Sequence, residues 1–307
     1  MNVSNQTDPQ PDTVPLSVVI TSTHGWPEIA PCLAALKDQI ADVGGEIIVV
    51  DRSGAGLPAA VEADCPLVEW VTVPSATVFA LRAEGLRCAR GAIIASTEDH
   101  CVPSTDWCRQ ILRAHADHPD TLVIAGAVEN GSTTRLVDWA NYFMALCAFA
   151  PPVRAQRQRA VPIANVSYKR ACFDGMQRFS PGWLEFDFNV RALERDMAAI
   201  DNGMLVSHVH SHSIVDNMRG NYHNGRSTTG LASDAERSFG RYQRVRRSMR
   251  RAWSAFFGTF LLMHGKERYR RALIASAPWM SVLCLAHLTG EVAGIVWGAG
   301  RSPWLVD

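Results

Sequence analysis

The first 130 residues alternate between short unbroken apolar runs and amphipathic stretches. Leu16–Thr21, Glu46–Asp51, Leu67–Val73, Ala92–Thr97 and Leu122–Val128 have strand length, and most are rich in Val and Ile, as strands buried on both faces are. Between them, Pro27–Ile40, Ala76–Arg90 and Thr105–Ala116 read as helices, with Pro27 suited to a first helical turn. This alternation predicts an α/β fold with a mainly parallel sheet and helices on both faces. Ligands of such sheets bind beyond the carboxyl ends of the strands, so chemistry is expected in the residues just after each strand.

The pattern then changes. Arg135–Phe149 reads as an aromatic-rich helix and Ala160–Ser167 as a strand. Leu184–Ile200 reads as one helix, because Phe186, Val190, Leu193, Met197 and Ile200 share a face. Met204–Val209 reads as a short strand, and the chain from Glu236 onward as helical.

Three strand ends carry polar groups: Ser22 and His24 after the first, Asp51 after the second, and Glu98-Asp99-His100 after the fourth. A buried acid is costly unless it is paired or bound to something. A lone strand-terminal Asp ordinarily caps the next helix. Glu98, Asp99 and His100 together exceed that need, and two carboxylates with an imidazole suit a divalent cation, Mg²⁺ or Mn²⁺.

A formal net charge of +0 gives no whole-chain argument for nucleic-acid binding, and no nucleic-acid partner is expected. The eight cysteines form no CxxC pair and sit mostly among apolar residues, which reads as reduced core cysteines in a cytosolic setting. The turn Thr21–Trp26 lacks the glycines and lysine of a triphosphate-binding loop, which argues against nucleotidyl transfer, and no GxGxxG follows the first strand.

Leu16-Ser17-Val18-Val19-Ile20 and Ile47-Ile48-Val49-Val50-Asp51, followed by Arg82-Ala83-Glu84-Gly85-Leu86 and Ala89-Arg90-Gly91-Ala92-Ile93-Ile94, resemble in order and spacing the opening of the family 2 glycosyltransferases. Glu98-Asp99-His100 stands where that family usually has Asp-x-Asp, and the resemblance runs from about Leu16 to Arg226. It implies a GT-A fold and inverting transfer of a sugar from a nucleotide-diphosphate sugar to an acceptor hydroxyl. It also implies roles for residues. Ser22, His24, Asp51, Arg82 and Asp99 would line the nucleotide site. Glu98, Asp99, His100 and His210 would serve the metal. Asn165, His212, Arg219 and Arg226 would lie toward the diphosphate or acceptor. In Trp183–Arg191, Glu185 would be the base that takes the acceptor proton, with Asp187 either sharing that role or pairing with Arg191. The replacement of family carboxylates by Glu98 and His100 keeps a second reading open, a nucleotide-sugar-binding protein with a degenerate metal motif.

The division expected is a disordered tail over 1–15, a nucleotide-sugar half over 16–130, an acceptor and catalytic half over 131–235, and a helical extension over 236–307. Between Arg237 and Arg271 basic residues dominate, interspersed with Phe256, Phe257, Phe260, Leu261 and Leu262, a mixture suited to an anionic membrane surface. Ala272–Gly290 holds no Asp, Glu, Lys or Arg, but Pro278, His287 and Glu291 argue against a conventional span. The expectation is a helical hairpin on, or partly in, the cytoplasmic leaflet, with a carbohydrate or lipid-linked acceptor.

Overall fold

The computed structural model describes residues 13–154, 160–173, 179–210, 212–231 and 238–305; most of the expected tail lies outside them. The chain forms β1 (Leu16–Ser22), α1 (Ala30–Asp42), β2 (Glu46–Asp51), α2 (Ala59–Asp64), β3 (Val68–Thr72), α3 (Val78–Cys88), β4 (Ile93–Glu98), β5 (Cys101–Pro103), α4 (Trp107–Asp117) and β6 (Val123–Asn130). There follow α5 (Leu136–Leu146), β7 (Val166–Lys169), a π-helical turn (Leu184–Phe188), α6 (Asn189–Glu194), β8 (Ala198–His208) and α7 (Ile214–Gly230). Two long helices, α8 (Arg241–Met263) and α9 (Arg270–Trp297), precede a short 3-10 turn, Ser302–Trp304.

One eight-stranded sheet runs in the order β3-β2-β1-β4-β7-β6-β8-β5. β1 lies parallel between β2 and β4, as the apolar runs predict. Beyond β4 the sheet is mixed: β7 is antiparallel to both β4 and β6, and β5 is antiparallel to β8. Alternate residues of the parallel strands face two separate cores. Val18, Ile20, Ile47 and Val49 pack with Leu33, Leu36, Trp107 and Ile111 on one side. Val19, Ile48, Val50 and Ile94 pack with Leu81, Leu86, Tyr168 and Leu184 on the other.

The helix expected over Leu184–Ile200 is interrupted. α6 ends at Glu194, Asp196 adopts a left-handed φ of 53°, and Ala198 opens an eleven-residue strand. Met197 and Ile200 satisfy a helical apolar pattern, but Ala198, Ala199 and Ile200 pair with Val123, Ile124 and Ala125 of β6, and sheet pairing overrides the local periodicity. α1 begins at Ala30 rather than Pro27, and it is Pro31 that occupies its first turn.

A third cluster joins Tyr142 and Phe143 of α5 to Met263 of α8 and to Tyr269, Met280 and Leu283 at and within α9. α9 also packs closely on α7. A Cβ at Gly290 would lie 2.0 Å from the Tyr222 carbonyl oxygen, so only glycine permits this approach. The helical extension is therefore packed onto the sheet domain along its inner side.

Candidate active site

β1, β2 and β4 end side by side, and two aspartates shape the loops that leave them. Asp99 is buried, and its Oδ2 accepts hydrogen bonds from Ser22 Oγ (3.1 Å) and from the Thr23 (2.9 Å) and His24 (3.3 Å) amides. Its Oδ1 lies 2.8 Å from His100 Nδ1. Burial opposes the charge of Asp99, but these bonds, led by His100, outweigh it and hold its carboxyl below the usual range. Asp51 accepts from the Ser53 amide (3.0 Å), Ser53 Oγ (2.8 Å) and the Gly54 amide (2.9 Å). The two loops meet at Gly25, where φ is 73° and a Cβ would lie 2.2 Å from Ser53 Oγ. Glycine alone allows both the conformation and the contact.

Arg82 of α3, only 7% exposed, reaches two carboxylates from different parts of the chain. Its Nη2 donates to Glu98 Oε1 at 2.7 Å and its Nη1 to Glu185 Oε1 at 2.9 Å. One buried guanidinium thus couples the end of β4 to the π-helical turn. Such turns occur often at functional sites. Two carboxylates around one guanidinium leave a net negative charge that a bound cation would offset.

The second oxygen of Glu98 faces two imidazoles. Oε2 lies 3.5 Å from His100 Nε2 and 3.8 Å from His208 Nε2, and the two Nε2 atoms are 2.9 Å apart. Two imidazole nitrogens this close require a proton or a cation between them. Asp99 engages His100 at Nδ1, which leaves Nε2 to face the cluster, the outer-shell arrangement typical of metal-bound histidines. Burial, then His100 and His210, push His208 well below the usual imidazole range, which keeps it neutral as a ligand must be. Cys101 also lies within 4.8 Å, but burial raises its thiol well above the usual range and keeps it protonated. The donor set therefore fits a divalent cation held by Glu98, His100 and His208, with Asp99 behind them.

The remaining sequence-selected residues divide. His24, His210 and His212 line a pocket of about 260 Å³ with Glu28, Pro31, Asp99 and His100. The His210 ring lies 6.2 Å from that of His100, beside the cluster rather than in it. Asn165 is fully buried: its amide nitrogen donates to the carbonyls of Ala127 and Met204, and its oxygen accepts from Trp107 Nε1. It ties β6, β8 and α4 together inside the core. Asp187 pairs with Arg191 one turn on, both half-exposed. Arg219 is exposed on α7, whereas Arg226 donates to the Gly298 carbonyl at the end of α9. The family resemblance points to His210 and His212 of the run His208-Val209-His210-Ser211-His212, whereas the structure brings their neighbour His208 to the cluster. β8 stops at His208, so sheet pairing holds this first histidine of the run, while His210 and His212 follow the strand.

A sheet whose parallel strands end in an acid- and histidine-lined cleft, with further antiparallel strands completing it, is the GT-A class of architecture. A family model, glycosyl transferase family 2, matches residues 17–179, more than half of the chain, and the chain belongs to that family. It is a glycosyltransferase. The mannosyltransferase PcManGT from Pyrobaculum calidifontis, solved in complex with GDP-Man and Mn²⁺, is similar in fold. It has a TM-score of 0.53 and 16% sequence identity over 95% of this chain and 90% of that one. No curated protein matches the sequence.

Proposed function

We propose that the chain is an inverting glycosyltransferase that moves a sugar from a nucleotide-diphosphate sugar to the hydroxyl of a carbohydrate or lipid-linked acceptor, using Mn²⁺ or Mg²⁺. The observation that carries this reading is the Arg82 bridge, which sets Glu185 and the Glu98 cluster on two sides of one guanidinium. The similar mannosyltransferase was solved with both a nucleotide sugar and Mn²⁺, which supports the donor class and the ion.

In this reading the loops after β1 and β2, held in shape by Asp99 and Asp51, receive the nucleotide, with Ser22 and His24 at its edge. Glu98, His100 and His208 hold the ion; when bound, it supplies positive charge to the departing diphosphate. His210 and His212, in the adjoining pocket, face the same anion. Glu185 accepts the proton of the acceptor hydroxyl as that oxygen attacks the anomeric carbon. Arg82 orients the Glu185 carboxylate, leaving its other oxygen for the acceptor. A single in-line displacement inverts the configuration. In this reading the acceptor lies at a membrane surface, a location supported by the basic and apolar helices that follow the catalytic half of the chain.

The test is thermal stabilisation by nucleoside diphosphates with and without Mn²⁺ or Mg²⁺. A ligand that binds only the folded state must raise its stability. Metal-dependent stabilisation by one nucleoside diphosphate is expected and identifies the donor nucleotide. A folded preparation stabilised by none of them would mean that the cleft is not a donor site.

A further inference from the structure

Among the described residues, α8 and α9 carry about half of the exposed large apolar side chains. On α8, Trp253, Phe257 and Leu261 are 61%, 57% and 65% exposed, and the Trp253 and Phe257 rings stack at 5.4 Å. On α9, Ile274, Trp279, Val282 and Leu285 are also exposed. α9 is long and apolar enough to cross a membrane by length and composition. Its inner side, however, holds Gly290 and Gly294 against α7 and buries Glu291 in an ion pair with Arg251 of α8. Only the outer side can meet a partner.

The apolar stripe of α8 continues into a basic one. Arg246, Arg250, Trp253, Phe257 and Leu261 follow at helical spacings of four, three, four and four, so they form one stripe about 22 Å long. At its basic end Phe239, Gln243, Arg246, Arg247 and Arg250 line a cavity of about 250 Å³. Arg247 lies over the Phe239 ring, 4.4 Å from its centroid, which fixes the guanidinium without neutralising it. From Ser238 to Lys266 the sequence has no Asp or Glu. No carboxylate among the described residues pairs with Arg246, Arg247 or Arg250.

We infer that this face docks in the plane of an anionic lipid bilayer. The arginine cradle takes lipid phosphate groups, while Trp253, Phe257, Leu261 and the outer side of α9 enter the headgroup–acyl boundary. The charge pattern selects this occupant. A second copy of the chain would bring more arginines to the stripe and no acid, whereas phosphate-bearing headgroups supply both the anion and the apolar layer beneath it. The inference deepens the membrane part of the proposed function and rests on it for the acceptor's location, but not for the docking itself.

The experiment is co-sedimentation of the full chain with vesicles of phosphatidylcholine alone, and of phosphatidylcholine mixed equally with phosphatidylglycerol. Binding to the mixed vesicles and little to the neutral ones is expected. The triple change Arg246→Gln, Arg247→Gln and Arg250→Gln should weaken it by about a hundredfold, since each basic residue near such a surface contributes severalfold. Trp253→Ser with Phe257→Ser should weaken binding to the same vesicles at high salt, where the charge contribution is screened. Thermal melts of both variants check that they fold. Equal binding of wild type to both vesicles, or unchanged binding of the arginine variant, would overturn the inference. So would inorganic pyrophosphate binding at the cradle without vesicle binding, or self-association through this face. Mn²⁺-dependent nucleoside-diphosphate binding, measured on the same preparations, should be unaffected by either variant. Its absence from the wild type would sink the donor-site reading while leaving the vesicle result standing.

Discussion

Arg82 and the arginines of α8 are one residue type in opposite settings. Arg82 is enclosed by α3, β4 and the π-helical turn, and two carboxylates hold its guanidinium in place. Arg246, Arg247 and Arg250 stand on an exposed helix, and no carboxylate among the described residues pairs with them. The first arrangement fixes a geometry inside the protein. The second leaves charge available for something outside it. The difference shows that the count of basic residues says little about function; what matters is whether each charge is already answered within the fold.

Changes on the buried side should have the larger effects. Glu185→Gln removes the proposed base and should lower kcat about 10²–10⁴-fold with donor affinity nearly unchanged, measured by steady-state transfer beside donor titration. Retained turnover would take the base role from Glu185. Arg82→Met strands two partly buried carboxylates without a counter-charge and should cost about 2 kcal/mol of stability, read from denaturant melts. Stability equal to wild type would mean that the bridge is not formed in solution.

Asp99→Asn loosens both the β1 loop and His100, and should weaken Mn²⁺ binding by about 10–100-fold, as loss of an outer-shell partner does. A smaller change would separate the loop from the metal cluster. The next effect concerns pH. Burial, then Lys169 and His118, lower the His115 imidazole to about 4 from its ordinary 6.5. Between those values the unfolded chain binds a proton that the folded chain does not, so stability should fall as pH drops through this window, by about 3 kcal/mol. His115→Gln, which can keep the bond to Ser167 Oγ, should flatten that part of the curve. An unchanged slope would place the acid sensitivity elsewhere. The smallest effect belongs to the other arginine setting: Arg246→Gln should alter the melting free energy by no more than about 0.5 kcal/mol. A large loss would mean that α8 is held by contacts its exposure hides.

The centre of the parallel half, β1, β2 and β4, was legible because these strands are mostly buried on both faces and so appear as apolar runs. The acids at their ends were legible for the same reason, since a carboxylate closing such a run needs a partner. The partners themselves were not. Asp99 and His100 are adjacent in sequence, yet one folds back to hold the β1 loop while the other faces His208, 108 residues away. Asn165 is marked as a site residue by the family resemblance alone. Its three bonds to Trp107, Ala127 and Met204 depend on three elements that local pattern does not bring together. The start of β8 was hidden because Met197-Ala198-Ala199-Ile200 suits a helix as well as a strand, and only the free edge of β6 decides between them.

The most direct test is Mn²⁺ binding by electron paramagnetic resonance in the presence of a nucleoside diphosphate, compared among wild type, Glu98→Gln and His208→Ala. The account predicts one bound ion per chain in the wild type and a large loss of affinity in both variants. Mn²⁺ bound with unchanged affinity and spectrum in both would contradict it, because the ion would then lie away from Glu98 and His208.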